Sequence, residues 1–285
     1  MDQQPSAPSE TVPSEMVSVE FSLAWGDDRI SATAEVPSGQ TNLTQLLPIL
    51  QALDDSLIGA AASEAVAGGR SISCKAGCGA CCRQLVPISI FEAEALAAWV
   101  RTLPEPTQQE IAQRFDQALR KLATGGILER LVATGNEFWD PENEAHKSLS
   151  IEYHYQRVPC PFLVDEACSI HPIRPLICRE YLVTSSPEYC IDPATLQTEM
   201  VPMPIRLMPA LNRIGAEVEH NTRGWIPLVF LFAWMKANAH PGERVSGTGP
   251  EVLYKFLSRI GPSDGNLEVP EEAPTSLDDK PTAEV

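Results

Sequence analysis

Four cysteines fall within nine residues, Cys74-Lys75-Ala76-Gly77-Cys78-Gly79-Ala80-Cys81-Cys82, and the other four follow at Cys160, Cys168, Cys178 and Cys190. Thiolates at such short spacings, separated by Gly and Ala that let the backbone turn tightly, can converge on a soft metal or an iron–sulfur cluster without regular secondary structure. The first group reads Cys-x3-Cys-x2-Cys-Cys, while the second is spread over gaps of seven, nine and eleven residues. Eight thiolates match two four-thiolate sites. Zinc with four thiolates, or a four-iron cluster on four thiolates, carries a net charge of about −2, so two sites would bury about −4. Arg83, Arg174 and Arg179 stand beside ligand candidates and are suited to offset that charge, because a guanidinium donates to sulfur and stays charged when buried. Consecutive side chains of an extended segment point to opposite sides, which would send Cys81 and Cys82 to different sites. Cys190 stands furthest from its neighbours and is the weakest ligand candidate. His171 reads as a residue beside the centre rather than a ligand, since eight cysteines already complete two sites.

The rest of the chain sets the context. An apolar share of 44% in 285 residues is that of a protein with a real core. The net charge of −17 argues against a phosphate-reading surface, so no nucleic-acid partner is expected. The N-terminus lacks the basic start and apolar stretch of a secretory signal, which points to the cytoplasm. In that reducing compartment, closely spaced cysteines favour metal over disulfides. The longest apolar run, from Ile226 to Met235, is too short for a membrane span and reads as part of a buried helix over 225–238.

These patterns predict an α+β, mainly helical fold, with an N-terminal β-hairpin and short helices around a cysteine-rich loop core. Val17, Val19, Phe21, Leu23 and Trp25 alternate, Gly26-Asp27-Asp28 turns the chain, and Ile30, Ala32, Ala34 and Val36 alternate again. A leucine stripe predicts a core helix over 43–66, with Pro48 arguing for a late start or a kink. Ser89 and Glu92 form a capping pair ahead of a helix over 90–102, and Thr107 and Glu110 repeat the pattern before a second helix antiparallel to it. Pro250 and Gly261 frame a last helix. The expected division is a disordered tail over 1–15, one globular domain over 16–261 and a disordered acidic tail over 262–285. Within the domain, 16–70 would hold the hairpin and first helix, 71–192 the metal-binding core, and 193–261 the C-terminal helices.

The Cys74–Cys82 group, Cys160-Pro161-Phe162-Leu163, the stretch from Cys168-Ser169-Ile170-His171 to Cys178-Arg179-Glu180-Tyr181, and a later Cys190 together resemble the YkgJ-type cysteine-cluster family. That family is described as zinc- or iron-chelating and also takes in the flagellin N-methylases. Where it often places Tyr, this chain has His171. The resemblance implies a zinc or iron–sulfur centre, with a 4Fe-4S cluster favoured because long ligand gaps suit irons that lie apart. It also implies an alternative, an S-adenosylmethionine-dependent lysine N-methyltransferase acting on a protein substrate. No Gly-rich nucleotide turn between a strand and a helix supports that alternative. Cys74-x3-Cys78-x2-Cys81 also has the spacing of radical S-adenosylmethionine enzymes, without their repeated strand–helix units. The sequence identifies no catalytic or cofactor-binding residue beyond the thiols.

Overall fold

The hairpin forms as its alternation demands. The structure, a computed structural model, describes residues 15–134, 139, 143–192, 196–219, 224–238 and 245–261. Strands β1 (Met16–Trp25) and β2 (Asp28–Pro37) pair antiparallel with Val19 opposite Ala34 and Leu23 opposite Ile30. Gly26 adopts φ +61° in the two-residue turn, a value that glycine takes without strain. A lone two-stranded sheet is marginal in water. This one buries Val19, Phe21, Leu23, Ala34 and Val36 in the main core, with β2 packing on helices α1 (Leu43–Ala67) and α10 (Gly249–Leu257).

Helix α1 is the spine of the molecule, packing on α2 (Ile90–Thr102), α6 (Leu176–Glu180), α10 and β2. It starts at Leu43 rather than late, because Asn42 caps it and Gln45 reaches back to the Asn42 backbone. Pro48 lies inside the helix. An interior proline costs roughly 3 kcal/mol. Against that stand five buried leucines, Leu43, Leu46, Leu47, Leu50 and Leu57, each contributing about 1.5–3 kcal/mol. Core packing therefore overrides the local penalty. One residue breaks the apolar stripe: Asp54 is fully buried in it.

Three small antiparallel sheets deliver the chain to helices or fix the cysteine loops. In the first, β3 (Gln40–Asn42) pairs with β8 (Ser246–Thr248), and they lead into α1 and α10, the latter capped by Thr248 and Glu251. In the second, β4 (Pro87–Ser89) pairs with β7 (Trp225–Pro227) and leads into α2. The third joins β5 (Leu163–Val164) to β6 (Ala167–Cys168).

Three expectations need correction. The run expected as one helix over 225–238 is divided among β7, a 3-10 turn over Leu228–Phe230 and α9 (Leu231–Ala237). Pro227 has no N–H to continue a helix and sits in the strand opposite Pro87. Helix α3 (Glu105–Thr124) starts before Thr107, with Pro106 in its first turn in place of a side-chain cap. Helices α2 and α3 do not form a principal pair: α2 packs on α1, α8 (Met208–Glu219) and α9, and α3 on the 228–230 turn and α4 (Leu128–Thr134). Helix α5 (Glu144–Tyr155), for which no sequence signal was recognised, is capped by Asn143. The fold is thus α+β and mainly helical, with the hairpin as its largest sheet. The expected terminal tails, apart from Glu15, lie outside the described residues. No helix among the described residues is long and apolar enough to cross a membrane.

Candidate metal centre

The first cysteine group is a chain of tight turns. The Cys78 amide donates to Lys75 O at 3.2 Å, across Gly77 at φ +84°, and the Cys82 and Gln84 amides donate to Gly79 O and Cys81 O at 3.0 Å. Cys81 and Cys82 therefore do not splay as an extended pair would; their thiols are close enough to perturb each other. That contact pushes the Cys81 thiol down to about 7 and its neighbour up.

Main-chain bonds dock this loop on the later cysteines. The Cys160 amide donates to Cys82 O at 2.7 Å, and the Ser73 amide to Val183 O at 3.0 Å. Cys74 Sγ accepts from the Val183 amide at 3.4 Å. The β5–β6 turn, Asp165-Glu166, has φ of 49° and 59°, as a two-residue hairpin of this type requires, and carries Cys168 on β6. Gly79 packs so closely on that turn that a Cβ there would lie 2.4 Å from Glu166 O and 2.7 Å from Leu163 Cδ1. Gly79→Ala is therefore expected to push the Cys168 hairpin off the first loop, lowering metal content and costing roughly 1–3 kcal/mol. Gly77→Ala, strained only through its backbone, should cost about 1 kcal/mol. Melting temperatures and metal analysis of both variants check the order.

Cys178 rides on α6, whose first amide, Leu176 N, donates to Glu92 Oε1 at 2.7 Å. Cys190 rides on α7 (Pro187–Ile191) and is buried. Gln84 Nε2 donates to its carbonyl at 3.4 Å, and Arg157 Nη1 donates to the next one, Ile191 O, at 2.5 Å. The least committed of the eight cysteines is thus brought to the same place as the others.

Cys74, Cys78, Cys81, Cys178 and Cys190 line one cavity of about 200 Å³, together with His171, Arg174, Arg179 and Tyr181. Cys82, Cys160 and Cys168 do not line it but are near enough to Cys81 for their charges to interact. All eight thiols are free. Among the described residues, no three His, Cys, Asp or Glu side chains close on one point as a single bound ion requires. The donor set nevertheless suits a soft metal, being all sulfur in a half-buried setting. Burial raises Cys74 and Cys168, pushes Cys160 up to about 12 and Cys190 up to about 11, and holds Cys178 well above its ordinary range, with neighbouring thiols adding to the effect. At these five positions a cation is needed for the thiolate to form at neutral pH.

The three flanking arginines differ. Arg179 is 4% exposed and committed elsewhere, to both Asp55 carboxylate oxygens at 2.8 Å and to backbone carbonyls including Arg174 O. Arg83 forks onto Glu166 at 2.6 and 2.9 Å. Arg174 has no carboxylate partner among the described residues, and its Nε is buried without an acceptor. Its charge lowers Cys74, Cys81 and Cys168, and its Nη1 contacts His171 Nε2. The sequence placed all three arginines beside ligands; only the fold distinguishes Arg174. Tyr181, Gln84 and Arg157 were not anticipated. Their one sequence signal is proximity to Cys178, Cys82 and Cys160.

Residues 73–195, just under half of the chain, match the family model CxxCxxCC, described as "Putative zinc- or iron-chelating domain". No curated protein and no solved structure matches the chain. The matched segment starts one residue before Cys74 and contains all eight thiols, both docking segments and Arg174. Over residues 73–195, the chain is thus similar to the domains that this CxxCxxCC description covers.

Proposed function

We propose that this protein holds iron–sulfur chemistry on its eight cysteines and serves as a metal protein in electron transfer or cluster assembly. The carrying observation is the cavity: five thiols from three separate segments border about 200 Å³, yet no three converge on one point. A single zinc ion needs four sulfurs about 2.3 Å from one centre. A cluster accepts each thiolate on a different iron and so suits ligands that stand apart around a void. When bound, such a cluster would supply one-electron chemistry. The chain's own residues hold it with thiolates, balance its charge with Arg174 and open it to solvent on one side.

The methyltransferase alternative has less support. Every sheet among the described residues is two-stranded and antiparallel, so none provides the parallel strand–helix–strand crevice in which nucleotide cofactors commonly bind. The same observation weighs against the radical reading of Cys74, Cys78 and Cys81, even though all three line the cavity.

Anaerobic purification tests the proposal. Brown protein with iron and acid-labile sulfide in comparable amounts is expected, whereas colourless protein with stoichiometric zinc would sink it. Loading metal-free protein near neutral pH is expected to release protons, because burial keeps most of these thiols neutral until the metal arrives. Affinity should then fall as pH is lowered, since protons compete with metal for the same sulfurs. Calorimetry in buffers of different ionisation enthalpy reads the proton count. Binding with no proton release would show that ligands other than these thiols take the metal.

A further inference from the structure

The cavity among the thiols has a lining unlike the rest of this acidic chain. Asp and Glu outnumber Lys and Arg by 38 to 21 overall, yet no carboxylate lines the cavity, while Lys75, Arg174 and Arg179 all do. The first cysteine loop shares this bias: between Glu64 and Glu92 the chain holds Arg70, Lys75 and Arg83 and no Asp or Glu. Acids close by are already engaged. Asp55 is taken by Arg179, Glu166 by Arg83, and Glu180 by the amides of Leu207 and Met208 at 2.6 and 2.9 Å. Glu188, exposed beside Pro187 on α7, adds one negative charge near the mouth. Lys75 is exposed there, and neither it nor Arg174 forms a salt bridge among the described residues. Ala76, Leu182, Val183 and Pro187 supply apolar lining beside them.

The chain's own C-terminal segment has the complementary chemistry and starts within reach. Residues 262–285 hold seven Asp and Glu against Lys280 alone, whereas residues 1–14 hold only Asp2 and Glu10. Leu267-Glu268-Val269-Pro270-Glu271-Glu272 sets two apolar side chains and a proline among three carboxylates. The described chain ends at Gly261, whose carbonyl accepts from Arg213 Nη1 on α8. Five residues earlier on that helix, about 7.5 Å along it, the Met208 amide is held by Glu180, at the end of the helix that carries Cys178. The segment therefore leaves the body near the centre, and its 24 residues can extend about 80 Å. A tether of this length keeps an effective concentration on the order of millimolar, so a contact too weak to hold a free peptide still covers the mouth.

Building on the reading of the cavity as a metal site, we propose that residues 262–285 of this chain dock across its mouth in the metal-free protein, with the carboxylates of Glu268, Glu271 and Glu272 on Lys75 and Arg174, and leave when the centre forms. Four thiolates around a zinc ion or a four-iron cluster carry a net charge of about −2, which engages the same cations and repels the acidic segment. The thiols are thus covered while empty and cleared once loaded.

The test is limited proteolysis of reduced, metal-free, full-length protein with endoproteinase Glu-C. Mass spectrometry reads cleavage at Glu268, Glu271 and Glu272 relative to cleavage at Glu10 in the same molecule. In dilute buffer this ratio is expected to be about threefold or more below its value in about 0.5 M salt, which screens the contact. Lys75→Gln changes an exposed side chain, so the variant should fold as the parent does and show the high ratio in dilute buffer. Stoichiometric zinc should raise the ratio in the parent. A ratio that ignores salt, or protection unchanged in Lys75→Gln, would overturn the docking. Protection lost on about tenfold dilution would also overturn it, by assigning the contact to another copy. Protection that persists with zinc bound would overturn the release. Protein that takes up neither zinc nor iron would overturn the metal-centre reading, while salt and Lys75→Gln would still decide the docking.

Discussion

Replacing Glu92 by alanine is expected to lower the melting temperature by roughly 6–12 °C and to release metal from a site that Glu92 does not touch. The carboxylate is buried and makes three bonds: Oε2 accepts from the Ser89 amide and hydroxyl at 2.8 Å, and Oε1 from the Leu176 amide at 2.7 Å. Alanine would remove the reciprocal cap of α2, at about 1 kcal/mol. It would also leave a buried amide and hydroxyl without their acceptor, at about 1–3 kcal/mol. A loss near 3 kcal/mol corresponds to the temperature shift quoted for a domain of this size. Since Leu176 begins the five-residue helix that carries Cys178, freeing it moves a ligand. Glu92→Gln keeps an acceptor oxygen and should lose less. Thermal melts with metal analysis check both variants, and full metal content in Glu92→Ala would break the proposed link between the α2 cap and the centre.

Asp54→Asn should act in the opposite direction and stabilise the protein. Both Asp54 carboxylate oxygens are buried without a hydrogen-bond partner. Desolvation first, then the charge of Glu180, pushes its pKa up to about 9 from 3.8. The folded protein therefore keeps Asp54 protonated at neutral pH, while the unfolded chain releases the proton. For a raised carboxyl, stability is fullest below the unfolded pKa and declines as pH rises toward the folded one. Near pH 7 the linkage is worth up to about 4 kcal/mol. The amide of the Asp54→Asn variant does not titrate, so the two proteins should melt alike near pH 4 and diverge by several degrees toward pH 8. Melting curves across that range decide it. A variant less stable than the parent at pH 8 would mean that ionised Asp54 is tolerated through a partner that the amide cannot replace.

These two acidic residues also show where sequence reading succeeds and where it stops. Ser89 and Glu92 form a capping pair legible in the order of letters, and the helix begins where that pair places it. The third bond, to an amide 84 positions away, has no local signature. Asp54 sits within the leucine stripe that identified α1, but nothing local says that this polar residue takes one of the stripe's buried positions, between Leu50 and Leu57. The alternating hairpin was readable because one face meets the core and the other meets water. The run from Trp225 to Asn238 misled because its first half, 225–229, is buried at every position and so carries no period, while α9 after it is exposed at Ala233, Lys236 and Ala237. The only punctuation in it is Pro227, which here ends a strand. For the centre, spacing identified the eight thiols as candidates. Spacing could not show that Cys190 joins the others or that Gly79 is required by the Glu166 carbonyl behind it. Nor could it single out Arg174 among the three arginines. Those facts depend on which segments the helices between the cysteine groups bring together.

The docking of the first cysteine loop on the later segments also has a consequence during synthesis. The Cys82 carbonyl waits for the Cys160 amide, and Cys74 waits for Val183. More than a hundred residues separate Cys74 from Cys190. At roughly 5–20 residues per second, a growing chain would carry four unassembled thiols for several seconds or longer before their partners leave the ribosome. Helices α2 and α3 lie in that interval. During it the Cys74–Cys82 segment is most open to oxidation or to capture of the wrong metal, so oxygen present during expression should matter more to metal content than oxygen met after purification.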